Sequence, residues 1–190
     1  MLNEKGLAAV MRERWRGGGY EVAEADGWIM IWAGGVAVRC RRAALPRKCL
    51  GMIVEHIGEI PEGVCYRVSK EGGAQTALRD EPMDFWSRLL DEGIGSDLHR
   101  IKPTQLHLNG ARLWQDMKDL RVVTVDPGYT RVVEPEALSE ARTVNVYETG
   151  LVWEDVDCVA VVMPLRRNDT DRLLPRLDGF PWCGEETEVR

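Results

Sequence analysis

Between residues 20 and 41 the chain falls into three short runs, YEVAEA, WIMIWA and VAVRCR, each rich in strand-forming residues. Asp26-Gly27 separates the first two and Gly34-Gly35 the last two. Both dipeptides suit two-residue hairpin loops, which need positive φ at their centre. The pattern therefore predicts an antiparallel meander. Its middle strand is apolar on both sides: Ile29 and Ile31 point one way, Trp28, Met30 and Trp32 the other. One reading covers both faces, with a helix on one and a second sheet or loop on the other. The other leaves Trp28, Met30 and Trp32 as an exposed docking patch.

Upstream, Leu7, Val10, Met11 and Trp15 recur at helical spacing over 2–16, with Asn3 as cap and three glycines at 17–19 as the stop. A second helix is predicted near 46–59, with Pro46 in its first turn and Leu50, Ile53, Val54 and Ile57 inward. Strands VCYRVSK and AQTAL follow, then a helix over about 82–92 with Trp86, Leu89 and Leu90 inward. Beyond a soft boundary near 93–103, the pattern predicts a strand TQLHLN, a helix over about 110–119 and a strand RVVTV. In that helix Leu113, Trp114, Met117 and Leu120 point inward. DPGY is a turn, and TRVVE, TVNVYE, LVWED and CVAVVM complete the strands. The expected organisation is an N-terminal α+β unit over 1–95, a second over 96–166 and a polar tail over 167–190. Pro175 and Pro181 limit helix in that tail.

Length and composition fit a globular chain with a proper core. No apolar run reaches membrane-spanning length, and the N-terminal residues lack the apolar stretch of a signal peptide, so a cytoplasmic protein is expected. Five cysteines at wide, irregular spacing are then expected as reduced, small core residues. Net charge is −6, but residues 1–50 carry nine Lys/Arg against five Asp/Glu. That local +4 leaves −10 on the rest, which argues against a general nucleic-acid coat. Arg12, Arg14 and Arg16 near Trp15 remain candidates for phosphate contact, or for a solvated helix face.

Reactive constellations are scarce. Cys49, Met52, His56 and Glu59 share one helix face, yet a zinc site takes ligands from two elements, so the face reads as mixed and half-buried. His99 and His107 stand alone in the sequence, and Ser69, Ser87, Ser96 and Ser139 lack a nucleophile-elbow context. Glu154, Asp155 and Asp157 read as a solvated turn. No catalytic residues, metal or cofactor are assigned.

One pattern occurs twice. The first block runs over 36–68, with Leu45, Pro46, Arg47 and Lys48 leading into a helix and Pro61, Glu62 and Gly63 turning back to a strand. The second runs over 105–125 through Asn109, and the chain then reaches Met163, Pro164, Leu165 and Arg166 after its last strand. These motifs resemble the bacterial DNA sliding clamp, the β subunit of the replicative polymerase. The resemblance implies an α+β fold of two related units, antiparallel sheets with helices packed on one face. It also implies a peptide-binding pocket edged by Pro164 and Arg166. A short stretch, RLDGF at 176–180, resembles a clamp-binding peptide at Leu177, Asp178 and Phe180. A tail packed on its own body is the expectation there, with Phe180 and Trp182 as partner-contact candidates.

The function expected is thus non-enzymatic binding of a protein partner, in replication or repair. One alternative is an acidic inhibitor that occupies the basic groove of a nucleic-acid enzyme, as phage-encoded, anti-CRISPR-like antagonists of nucleases do. A further alternative is an enzyme whose site gathers His56 or His107 with carboxylates.

Overall fold

The computed structural model describes residues 1–60, 62–77, 86, 98–143, 150–165 and 173–183. Its elements are α1 (Glu4–Gly17), β1 (Tyr20–Ala25), β2 (Trp28–Trp32), β3 (Val36–Arg41), α2 (Arg47–Ile57), β4 (Cys65–Ser69) and β5 (Gly73–Thr76). There follow β6 (His99–Leu108), β7 (Ala111–Asp116), β8 (Val122–Val125), β9 (Arg142–Thr143), β10 (Leu151–Glu154) and β11 (Cys158–Val162). The fold is mixed α+β. Eleven strands form one sheet in the order β5-β4-β1-β2-β3-β11-β10-β9-β6-β7-β8. Every neighbouring pair is antiparallel. The sheet crosses from the N-terminal to the C-terminal half at the β3–β11 pair.

The meander forms as its dipeptides dictate. Asp26 and Gly27 both take positive φ, 54° and 72°, and set Ala25 opposite Trp28. Helix α1 begins where Asn3 accepts the Gly6 N–H, at 2.8 Å. It buries Leu7, Val10 and Met11 in the same cluster as Cys49 and Ile53 of α2 and Val22, Ile29, Ile31, Val36 and Val38 of the sheet. Val54, expected inward, is exposed, because α2 turns Cys49 and Ile53 to the core instead. Opposite-pointing side chains of the sheet, Ala23, Met30, Ala37, Cys65, Val152, Val159 and Val161, form a second cluster with the buried Trp86.

Two expectations fail in the C-terminal half. Residues 110–119 are not a helix; they contain strand β7. Asn109 and Gly110 take φ of 51° and 80°, a two-residue hairpin loop that sets Leu108 opposite Ala111. Leu113 then enters a small cluster with Val122 and Leu174, while Trp114 enters the main core. A strand buried on both sides shows no clean alternation, and its apolar positions mimic a helical stripe. The second failure is TRVVE. Asp126 accepts the Gly128 N–H, and with Pro127 it starts one helical turn, Pro127–Thr130. Val132 and Val133 are then buried, and Val133 only bridges to Leu2. Strand TVNVYE survives at its start as β9; 144–149 lie outside the described residues, as does most of the helix expected over 82–92.

The exit of β11 answers why an apolar strand stops at a proline. The Met163 N–H still donates to Gly35 O, but Pro164 has no N–H to give. The chain then changes neighbour: Leu165 N–H donates to Thr124 O on β8 (2.8 Å), and Thr124 Oγ1 donates to Leu165 O (3.3 Å). The free edge of β8 is thereby joined to the chain leaving β11, closing a circuit through β10, β9, β6 and β7. Trp114 and Trp153 meet edge to face in its core, with ring centroids 5.9 Å apart.

Candidate interaction surfaces

The cysteines depart from the expectation of five thiols. Cys40 and Cys158 are register partners on β3 and β11, with Cα atoms 4.2 Å apart, and are joined by a disulfide. Directly opposed, non-hydrogen-bonded positions bring two Cβ atoms close enough for such a bond. Cys49, Cys65 and Cys183 are not in disulfides. Burial pushes the Cys49 thiol up to about 12, with the Glu4 carboxylate adding to the effect.

The metal-spaced face of α2 is used for packing. His56 stacks on Trp15, with centroids 4.9 Å apart and planes 9° from parallel, and its Nδ1 lies 2.9 Å from the Tyr20 hydroxyl. Burial, then the neighbouring Cys49 and Glu55, raises the pKa of that phenol. Among the described residues, no three His, Cys, Asp or Glu side chains converge as a metal site. His99 Nε2 meets Asp116 Oδ2 at 2.7 Å, a part-buried pairing invisible in the sequence because the two sit across the β6–β7 hairpin. His107 lies opposite Arg112, not a carboxylate. Asp155 is a turn builder: its Oδ1 accepts the N–H groups of Asp157 and Cys158. One cleft, about 590 Å³, has Arg100, Ser139, Glu140, Arg142, Glu154 and Asp155 on its walls.

The three arginines of α1 do not share a role. Arg14 turns inward, where its guanidinium bonds the Tyr129 hydroxyl and lies 5.6 Å from that ring's centroid. Arg12 is half-buried and Arg16 exposed. Exposed Glu13, between them, pairs with Arg131, and that hydrogen bond lowers its carboxyl pKa.

Trp28, Met30 and Trp32 do point to one side, but unequally. Met30 is 4% exposed and packs in the Trp86 cluster; Trp32 is half-buried against it. Trp28 is half-buried at the end of the row, and two guanidiniums stack on it. Arg39 Cζ lies 4.1 Å and Arg41 Cζ 4.2 Å from its ring centroid. The β2–β3 register produces this, setting Trp28 opposite Arg41 and Met30 opposite Arg39. Sequence reasoning passed over both arginines. The signal was present in the i, i+2 spacing of Arg39 and Arg41 and the Gly34-Gly35 loop, which together put them on the Trp28 side.

Pro164 is half-buried at the β11 exit; Arg166 lies outside the described residues. Residues 173–183 of the tail pack on the body. Leu174 is buried, and Asp178 Oδ1 accepts the Val122 N–H at 2.7 Å. Gln115 Nε2 donates to Phe180 O at 2.5 Å, and Gly179 N–H to Leu120 O at 3.2 Å. The Trp182 indole N–H donates to Leu177 O at 2.7 Å. This leaves the rings of Phe180 and Trp182 5.7 Å apart and 58% and 38% exposed. No helix among the described residues is long and apolar enough to cross a membrane. No protein-family model, curated protein or solved structure matches this chain.

Proposed function

We propose that this protein acts by binding another protein, with Phe180 and Trp182 at the centre of the contact. One observation carries the reading: two large rings stand in solvent on a segment whose backbone is tied to β7, β8 and the loop between them. Aromatic anchors on a fixed backbone lose little conformational entropy on binding, so their burial goes largely into affinity. A clamp-like module of replication or repair, two related units with helices on one face, is the narrower form of this reading. Its support is the strand–helix–strand order of β3, α2 and β4, with Pro46 opening α2; the second block, with β7 in place of a helix, adds none. The acidic-inhibitor form draws on the net charge of −6.

Affinity capture with the wild-type chain and a Phe180→Ala/Trp182→Ala variant tests it. The expected result is one co-purifying protein, lost in the variant while the melting temperature is unchanged. A replicative polymerase subunit as that protein favours the clamp form; a nuclease favours the inhibitor form. Turnover of a small substrate by the purified chain, removed by a single His or Cys substitution, would overturn the reading.

A further inference from the structure

We propose that Arg39 and Arg41, held on Trp28, form a second contact surface that takes an acidic peptide segment of a protein partner. The inference rests on the reading of the chain as a binding protein and names the chemistry of one contact. Arg39 is half-buried on the sheet, next to Met30. Among the described residues it forms no salt bridge, and its guanidinium lies on the Trp28 ring. Partial burial, followed by the nearby positive charge of Arg41, lowers its pKa from the usual value against a smaller opposing pull from the Asp26 carboxylate. Among the described residues Arg41 donates to the Asp26 carbonyl alone, at 3.4 Å. The next arginine along, Arg42, is by contrast already paired with Glu24. Two adjacent guanidiniums, Arg39 half-buried and Arg41 exposed, keep most of their fork donors for an incoming carboxylate, which matches that geometry.

The ring beneath them decides between partners. A single-stranded nucleic acid uses an open aromatic face to stack its bases. The Trp28 ring is already engaged by guanidiniums, which leaves charge and fork geometry as what the surface offers. A chain of net charge −6 has no general attraction for acidic peptides, so binding of one reports a local site.

The test titrates the full chain with a fluorescein-labelled octaglutamate peptide and, separately, with a single-stranded oligonucleotide of eight nucleotides. Saturable peptide binding at low salt is expected. It should weaken tenfold or more in Arg39→Gln/Arg41→Gln, weaken less in Arg39→Lys/Arg41→Lys, and stay unchanged in Phe180→Ala/Trp182→Ala. The lysine variant keeps both charges, so it reads the fork geometry in a chain that still folds. Absence of peptide binding, peptide binding indifferent to the glutamine variant, or oligonucleotide binding tighter than peptide binding each overturns the proposal. Partner capture left unchanged by Phe180→Ala/Trp182→Ala, alongside intact peptide binding, would fail the reading above and leave this one standing.

Discussion

The β1–β2 and β6–β7 hairpins use the same device, a two-residue loop with positive φ at both residues, and bury their strands differently. In the meander, Asp26-Gly27 joins strands whose two faces are covered by separate groups: α1 and α2 side chains in one cluster, Trp86 in the other. In β6–β8, Asn109-Gly110 joins strands that curl until β8 meets the chain leaving β11. The cover there comes from the sheet itself, through Trp114 and Trp153, and from the tail, through Leu174. Local turn chemistry is therefore enough to make a hairpin in either half, and what covers the hairpin is settled at long range.

The sharpest way to break this contrast is to empty the closed circuit. Trp153 is 2% exposed, and its indole N–H donates to Ala137 O at 3.0 Å. Trp153→Ala should cost about 3–5 kcal/mol, the usual loss for a buried aromatic. Trp32→Ala, at a half-buried position of the meander, should cost clearly less. Equal losses in urea melts would show that the two halves share one packing regime.

Next in size is the seam where α1 crosses the second half. A Cβ built on Gly6 would lie 1.7 Å from Arg131 O, so α1 can approach that backbone only with glycine there. Gly6→Ala should cost roughly 1–3 kcal/mol, as overpacking does, despite the better helix propensity of alanine. The same substitution at Gly51, on an open face of α2, has nothing within 4 Å and should stabilise slightly. Thermal melts of the two variants should move in opposite directions.

A smaller effect is set by pH. The Cys49 thiol rises from 9.0 to about 12 on folding, so the folded state disfavours its thiolate. Its contribution is whole below about pH 9 and is lost as pH rises toward 12. Tyr20 shifts in the same direction. Chemical denaturation at pH 8 and pH 10.5 should show lower stability at the higher pH. Cys49→Ala should flatten part of that slope.

The smallest expected change is at the exposed end of the tail. Phe180→Ala/Trp182→Ala should alter stability by about 0.5 kcal/mol or less, as for surface substitutions. Asp178→Ala should cost about 1 kcal/mol, because Val122 N–H loses its acceptor. Circular dichroism melts that rank these two the other way round would place the rings in the core.

Much of the first half was legible because its signals act over a few residues. Asn3 caps α1, Pro46 precedes α2, and the two hairpin dipeptides set the register that puts Trp28, Met30 and Trp32 on one side. The candidate surfaces were legible only in part. Phe180 and Trp182 were singled out as apolar residues in a polar tail, whereas Arg39 and Arg41 looked like ordinary strand polar positions until their neighbour across β2–β3 was known.

What the amino-acid order alone determined is the list of turns, caps and most strands, since each depends on the φ preference or hydrogen-bonding of residues adjacent in the chain. Tertiary structure decided three things. Residues 111–116 gained cover on both sides from segments far along the chain, Trp153 beside Trp114 and Leu174 beside Leu113, which erases the alternation that marks a strand. The chain after β11 turned to β8 because Pro164 cannot continue the old ladder and Thr124 offers a new one. Cys40 found Cys158 across 118 positions of sequence because β3 and β11 pair in register. Each of these outcomes depends on contacts between segments far apart in the chain, and no local preference encodes which segments those are.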